Sequence, residues 1–243
     1  RRSPTPMTSA PPAQFSLPGT DYADLHQATN RLRVTLDGKF FRLGQRKFPV
    51  KGVAYGPFAP NAAGETFGTP EQAARDLALI RQLGANLVRV YAAPPVWFLD
   101  LALEQELRVF IDVPWNKEAC CLDSPHTQRE IRDGLRGQLR SVLGHTAVFA
   151  VSVVNELPAD IVRWSGAGPV EEFIDSLVDA VKAIDAGTLC TFGNFPPTEF
   201  LRPRLTDFAC FNVYLHRPRV FENYLARLQM IADNQPLVLG EFG

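Results

Sequence analysis

Seven short apolar runs, separated by stretches of helical periodicity, predict a parallel α/β fold. The segment after the first run, Val53-Ala-Tyr-Gly-Pro-Phe58, holds neither G-x-G-x-x-G nor a P-loop, which favours a (β/α)8 TIM barrel over a doubly wound sheet. At 243 residues and 46% hydrophobic composition, the chain can bury one core of that size as a single domain.

Residues 1–21 carry four prolines in the first twelve positions, with Ser, Thr and Ala, a composition that buries too little to fold and reads as a tail or linker. Residues 22–243 form the barrel domain. It opens with a β-hairpin, in which Leu32-Arg-Val-Thr-Leu36 alternates, Asp37-Gly38 turns and Lys39-Phe-Phe-Arg-Leu43 returns. The barrel strands follow as Val50–Tyr55, Asn86–Tyr91, Val109–Trp115, Val148–Glu156, Leu189–Asn194, Phe208–Leu215 and Leu237–Glu241. The helices between them span about Pro70–Leu83, Pro95–Glu106, Thr127–Leu143, Pro169–Ile184, a short Thr198–Leu201 and Val220–Ala232. The first is the clearest: Thr69-Pro70-Glu71 supplies cap, first-turn proline and first-turn acid, Ala73, Leu77, Ile80 and Leu83 recur at helical spacing, and Gly84 ends it. Seven strands reach the last residue, so the barrel is expected to be truncated before its eighth unit.

Composition narrows the partners. A formal net charge of −1 gives no electrostatic reason to expect nucleic acid, and no apolar run reaches the roughly 18 residues that would span a bilayer. A neutral substrate such as a carbohydrate fits at least as well. Four cysteines in no framework or zinc spacing read as free thiols, which favours a reducing, cytoplasmic compartment. Arg1 in place of a starting Met, and the absence of an apolar leader, read as a piece of a longer polypeptide.

In a parallel barrel, reactive side chains gather at the carboxyl ends of the strands. Those ends hold Tyr55, Arg89 and Tyr91, Asp112 and Trp115, Asn155 and Glu156, Asn194, Asn212, Tyr214 and His216, and Glu241. Paired carboxylates at two strand ends are what glycoside hydrolysis requires. Glu156 alone reads first as a surface carboxylate capping the next segment, and Arg89 has a structural ion-pair role as its second reading; Glu241 at a second strand end shifts the balance towards chemistry. Asp112 reads either way, His216 reads as a loop histidine, and His126 as a solvated side chain near a helix start.

These residues also carry a resemblance. Gly144-His-Thr-Ala-Val-Phe-Ala-Val-Ser-Val-Val-Asn-Glu156 resembles the fourth-strand motif of clan A retaining glycoside hydrolases, Phe211-Asn-Val-Tyr214 the sixth, and Leu239-Gly-Glu-Phe-Gly243 the seventh-strand nucleophile motif. Phe48-Pro-Val-Lys-Gly-Val-Ala-Tyr55 and Asn86-Leu-Val-Arg-Val90 are similar to the first and second strands of the glycoside hydrolase family 2 barrel. The resemblance implies a retaining glycosidase, hydrolysing or transglycosylating a β-linked glucan or oligosaccharide, without metal or cofactor. It implies Glu156 as general acid/base, Glu241 as nucleophile about 5 to 5.5 Å away, and Asn155 on the sugar 2-hydroxyl. Arg89 and Tyr214 would keep Glu241 ionised, and Trp115 and Tyr55 would offer flat faces to the sugar. The chain departs from the family where Trp115-Asn116-Lys117-Glu118 stands in place of a third-strand His, and where the eighth-strand Trp is absent. A second reading is a non-catalytic glycan-binding barrel within a longer polypeptide, for instance one with a glycosyltransferase domain.

Overall fold

The computed structural model describes residues 32–61, 63–116 and 120–243; the expected tail at 1–21 lies outside them. An antiparallel sheet of β1 (Val34–Asp37), β2 (Phe40–Leu43) and β3 (Arg46–Lys47) precedes a parallel sheet of seven strands. These are β4 (Gly52–Ala54), β5 (Leu87–Val90), β6 (Arg108–Asp112), β7 (Val148–Asn155), β8 (Leu189–Asn194), β9 (Ala209–Val213) and β10 (Leu237–Phe242). Each pairs with its sequence neighbour, so β4 and β10 are the edges. The sheet curls far enough that Glu241 on β10 ion-pairs with Arg89 on β5. The helices are α1 (Pro70–Gln82), α2 (Val96–Glu104), α3 (Pro125–Leu139), α4 (Ala159–Ser165), α5 (Ala167–Lys182) and α6 (Pro218–Ala232).

Strand parity sorts the side chains. Alternate residues of a strand face opposite sides. Val88 and Val90 of β5, with Val109 and Ile111 of β6, join Leu77, Phe98, Leu135 and Leu177 of the helices in one outer apolar layer. Leu87, Phe110, Ala150, Leu189, Cys210 and Val238 take the other parity and form an inner layer. Along the inner face the composition changes from apolar to polar towards the carboxyl end: Leu87 gives way to Arg89, Phe110 to Asp112 and Cys210 to Asn212. That change sets the level of the candidate site.

Helix ends follow local chemistry. Thr69 Oγ1 accepts from Gln72 N at 3.2 Å, and Gly84, at φ 84, follows the last turn of α1. Helix α3 starts two residues before the expected Thr127, because Ser124 caps it and Pro125 fills its first turn. Helix α4 has no counterpart among the sequence-based expectations. Its seven residues stop at Gly166, whose φ of 85 lets the chain turn directly into α5.

The hairpin closes the amino-terminal end of the curled sheet. Asp37 pairs with Phe40, so Gly38 and Lys39 form the turn, with Gly38 at φ 58. Phe41 is thereby aimed at Phe149 (centroids 5.0 Å, interplanar 68°) and Phe208 (5.3 Å, 86°), and Phe48 stacks on Phe149 at 6.1 Å. Edge-to-face geometry sets the positive ring rim against the negative face. Phe149, 1% exposed, touches four aromatic rings of this floor. Phe149→Ala is expected to cost about 3–5 kcal/mol, from lost transfer energy plus an unfilled cavity. A chemical-denaturation midpoint unchanged from the parent would contradict this account of the floor.

Candidate active site

Arg89 is the hub of the polar layer. The residue is 2% exposed and each guanidinium nitrogen has a partner: Nε donates to Asp112 Oδ2 (2.5 Å), Nη1 to Asn212 Oδ1 (3.1 Å) and Nη2 to Asn155 Oδ1 (2.9 Å). Nη1 also lies 3.1 Å from Glu241 Oε1. Burial works against its charge, but Asp112 more than offsets that and holds the guanidinium above its ordinary range. Asn212 carries the network onward, its Nδ2 donating to Asn155 Oδ1 and to Glu156 Oε1, both at 2.9 Å. Glu156 and Glu241 are thus joined through one arginine and one asparagine.

Glu241 is held on both oxygens. Tyr91 donates to Oε1 at 2.9 Å and Tyr214 to Oε2 at 2.8 Å. Both phenols are pushed above their usual range, Tyr91 by burial in the first place and Tyr214 by this hydrogen bond, so both are kept as donors. The register of β10 against β9 shifts between Leu239 and Glu241, a bulge that re-aims the carboxylate. Gly240 is required there: a Cβ would lie 2.6 Å from Arg89 Nη1 and 2.8 Å from both Asn212 Oδ1 and Cys210 Sγ.

Glu156 follows another irregularity, between Ser152 and Asn155 in the β7–β8 register. Its φ is 48, a left-handed conformation rarely adopted by a side chain of this kind, and its amide is tied to Gly193 O at 2.8 Å. A Cβ on Gly193 would come within 2.5 Å of Asn155 Oδ1, so that glycine leaves room for the carboxamide. Observed backbone strain of this kind costs about 1–3 kcal/mol and clusters at functional sites.

Beneath the carboxylates lies Asp112, whose Oδ1 is buried with no hydrogen-bond partner; the neighbouring Ser152 hydroxyl donates to Val154 O instead (3.0 Å). Burial pushes this carboxyl above its ordinary range, with Arg89 opposing. A folded-state pKa raised above the unfolded value makes Asp112 most favourable to folding below the ordinary carboxylate range, and that contribution is lost as pH rises through the raised value. Asp112→Asn keeps an oxygen for Arg89 Nε without the charge. Its melting temperature, relative to the parent, is expected to be higher at pH 8 than at pH 4; a difference that does not change with pH would refute the assignment.

Of the seven residues singled out from sequence, Arg89, Asn155, Glu156, Tyr214 and Glu241 meet at one end of the sheet, and Tyr55 and Trp115 do not. Tyr55 is 7% exposed, donates to Asp76 Oδ2 on α1 (3.0 Å) and packs on Phe58 and Phe98. It shares the outward parity of Val53, so it is a strand–helix contact, and the sugar-facing expectation is corrected. Trp115 continues the outward parity of Ile111 and Val113. Its indole N–H donates to Val153 O (2.9 Å) and its ring meets Phe173 edge-on, away from the carboxylates. Asn194 caps the turn after β8 through Phe195 N and Thr198 Oγ1. Tyr91 and Asn212, which sequence reasoning gave no role, and Asp112, which it left open, belong to the cluster. Their signal was the parity they share with Arg89, Phe110 and Cys210. Among the described residues, no group of three His, Cys, Asp or Glu side chains is placed to hold a metal, and no helix is long and apolar enough to cross a membrane.

The sequence matches no protein-family model and no curated protein. Solved structures do match its fold. A GH2 beta-galacturonidase from Eisenbergiella tayi bound to galacturonate aligns at TM-score 0.72 and 19% identity over 87% of this chain and 38% of its own. A b-glucuronidase from Ruminococcus gnavus in complex with D-glucaro-d-lactam aligns with the same four values. Bacteroides uniformis beta-glucuronidase 2, covalently bound to cyclophellitol-6-carboxylate aziridine, aligns at 0.67 and 17% over 84% of this chain and 26% of its own. The chain therefore shares the fold of the matched part of these enzymes, and it spans well under half their length.

Proposed function

We propose that this chain is the catalytic part of a retaining β-glycosidase acting on a β-linked glucan or related oligosaccharide. The observation that carries the reading is the Arg89–Asn212 bridge, which holds two carboxylates from different strand ends in one hydrogen-bonded layer. Glu241 attacks the anomeric carbon as Glu156 gives its proton to the glycosidic oxygen, breaking that bond and forming a glycosyl ester. Glu156 then takes a proton from water, whose oxygen displaces Glu241 and restores the enzyme. A sugar hydroxyl in place of that water gives transglycosylation. Asn155, oriented by Arg89 and Asn212, meets the sugar 2-hydroxyl.

We further infer that residues 22–243 are one domain and that an eighth βα unit completes a (β/α)8 barrel at the seam between β10 and β4. A hollow of about 520 Å³ lies along that seam, lined by Phe40, Phe48, Val50 and Pro236–Leu239. The fold relatives are named for uronides, so the test is a panel of aryl β-glycosides including a glucuronide, a galacturonide, a glucoside, a xyloside and a mannoside. Turnover with the β-anomer as first product supports a retaining enzyme. Inversion of the product would discard it, and glycan binding without turnover would favour a binding barrel.

A further inference from the structure

Asp112 carries a buried carboxylate that takes no part in making or breaking the glycosyl ester. Its side chain and that of Arg89, on the adjacent strands β6 and β5, are 4% and 3% exposed and meet at 2.5 Å. Arg89 Nη1 lies farther, at 3.1 Å, from Glu241 Oε1, and the Glu241 side chain is 19% exposed. Among the described residues one guanidinium is thus shared by two carboxylates, and the nearer is the one shut off from solvent. Burial opposes the charge on Arg89, and of its neighbours Asp112 counters that most strongly. The other groups packed around the guanidinium are neutral. They are Asn155 from β7, Asn212 and the Cys210 thiol from β9, and the Tyr91 phenol; burial pushes the thiol up to about 12 and also raises the phenol. Glu156 joins through Asn212. The shortest contacts of Glu241 are to the Tyr91 and Tyr214 hydroxyls, at 2.9 and 2.8 Å.

We propose that Asp112 is a positioning residue that reserves the charge of Arg89, leaving Glu241 held chiefly by neutral donors and ready to give up its negative charge. This deepens the glycosidase reading and rests on it for the identity of the reacting atoms. When the ester forms, a Glu241 oxygen bonds the anomeric carbon and the bond to the leaving oxygen breaks; that oxygen keeps the electron pair and takes the proton of Glu156. Negative charge thereby leaves the neighbourhood of Arg89. It returns when water, deprotonated by Glu156, displaces the carboxylate. A guanidinium without a counterion beside Glu241 would oppose the first movement and favour the second. It would also repel the positive charge that gathers at the anomeric carbon. Asp112 removes both handicaps through Arg89, from a position beneath the reacting groups.

The test compares the full chain with Asp112→Asn, which keeps an oxygen for Arg89 Nε, and begins without turnover. Titration calorimetry gives Kd for two kinds of probe in the gluco, xylo, manno and glucurono configurations. Iminosugars of the isofagomine type are cationic where the anomeric carbon would stand, and the corresponding 1,5-lactams are neutral. Asp112→Asn is expected to weaken the cation by about tenfold and the lactam of the same configuration by less than about threefold. A retained lactam affinity shows that the site is still folded. Rapid quench with 2,4-dinitrophenyl β-glycosides then separates the two chemical steps. Ester formation should slow by about tenfold while ester hydrolysis is no slower than in the parent. A lesion that merely loosened the site would slow both. Equal losses for cation and lactam, no loss for either, no binding of any probe by the parent, or slower hydrolysis of the ester would each overturn the proposal. Selective loss of the cation in a chain that turns over no aryl glycoside would keep the charge assignment while refuting catalysis.

Discussion

Glu241→Gln is expected to lower kcat for an aryl β-glycoside on the order of 10³-fold or more, a loss of about 4 kcal/mol of transition-state stabilisation. The carboxamide preserves volume, so the floor, the bulge at Gly240 and the stability of the fold should be little changed. What is lost is the charged oxygen that forms the ester. Its neighbours are arranged for an anion: two phenol donors and a guanidinium converge on its oxygens, and an amide nitrogen facing any of them has no acceptor. A 2-fluoro-sugar inactivator of the parent should label the peptide containing Glu241, which mass spectrometry would locate. Residual activity above about a tenth of the parent, or labelling elsewhere, would remove Glu241 from the nucleophile's role; that cutoff is one decade of rate.

The second large effect is expected at Glu156. General acid–base catalysis contributes about 10²–10⁴-fold, so Glu156→Gln should lose that much on an unactivated oligosaccharide. An activated leaving group such as 2,4-dinitrophenolate needs no proton, so formation of the ester should then be nearly normal. Deglycosylation becomes limiting, and added azide should accelerate it and yield a β-glycosyl azide. Equal losses on both substrates, with no response to azide, would mean that Glu156 does not shuttle the proton. Position 156 also permits a separation of stability from activity. Its φ of 48 is a conformation that glycine adopts without penalty. Glu156→Gly should therefore melt no earlier than the parent while showing the same defect, and a large drop in melting temperature would show that the backbone there is not strained.

Much of this arrangement can be read by counting in twos. Arg89, Tyr91, Asp112, Asn212 and Tyr214 all follow from the parity of the apolar residues before them, as do the outward turns of Tyr55 and Trp115 that strand-end position alone does not reveal. Parity fails where the strand is irregular. The register shifts before Asn155 and before Glu241 bring both motif residues to the inner face, and no local property of the residues announces them. Helix α4 was hidden for a different reason: seven residues between Pro158 and Gly166 are too few to display a helical period. The floor was equally out of reach, since which aromatics meet the hairpin depends on how far the sheet curls. The likeness to solved glycoside hydrolases carries the fold, and the chemistry rests on the carboxylates and their donors.

Gly240 has a consequence for any effort to reshape this protein. With Arg89, Asn212 and Cys210 all within 2.8 Å of where a first side-chain carbon would stand, the strand bearing Glu241 is seated on the polar layer with only a hydrogen between them. Position 240 is therefore a spacer of minimal thickness, and even alanine would lift the carboxylate off its donors. A library varied at this codon should return glycine alone under selection for turnover.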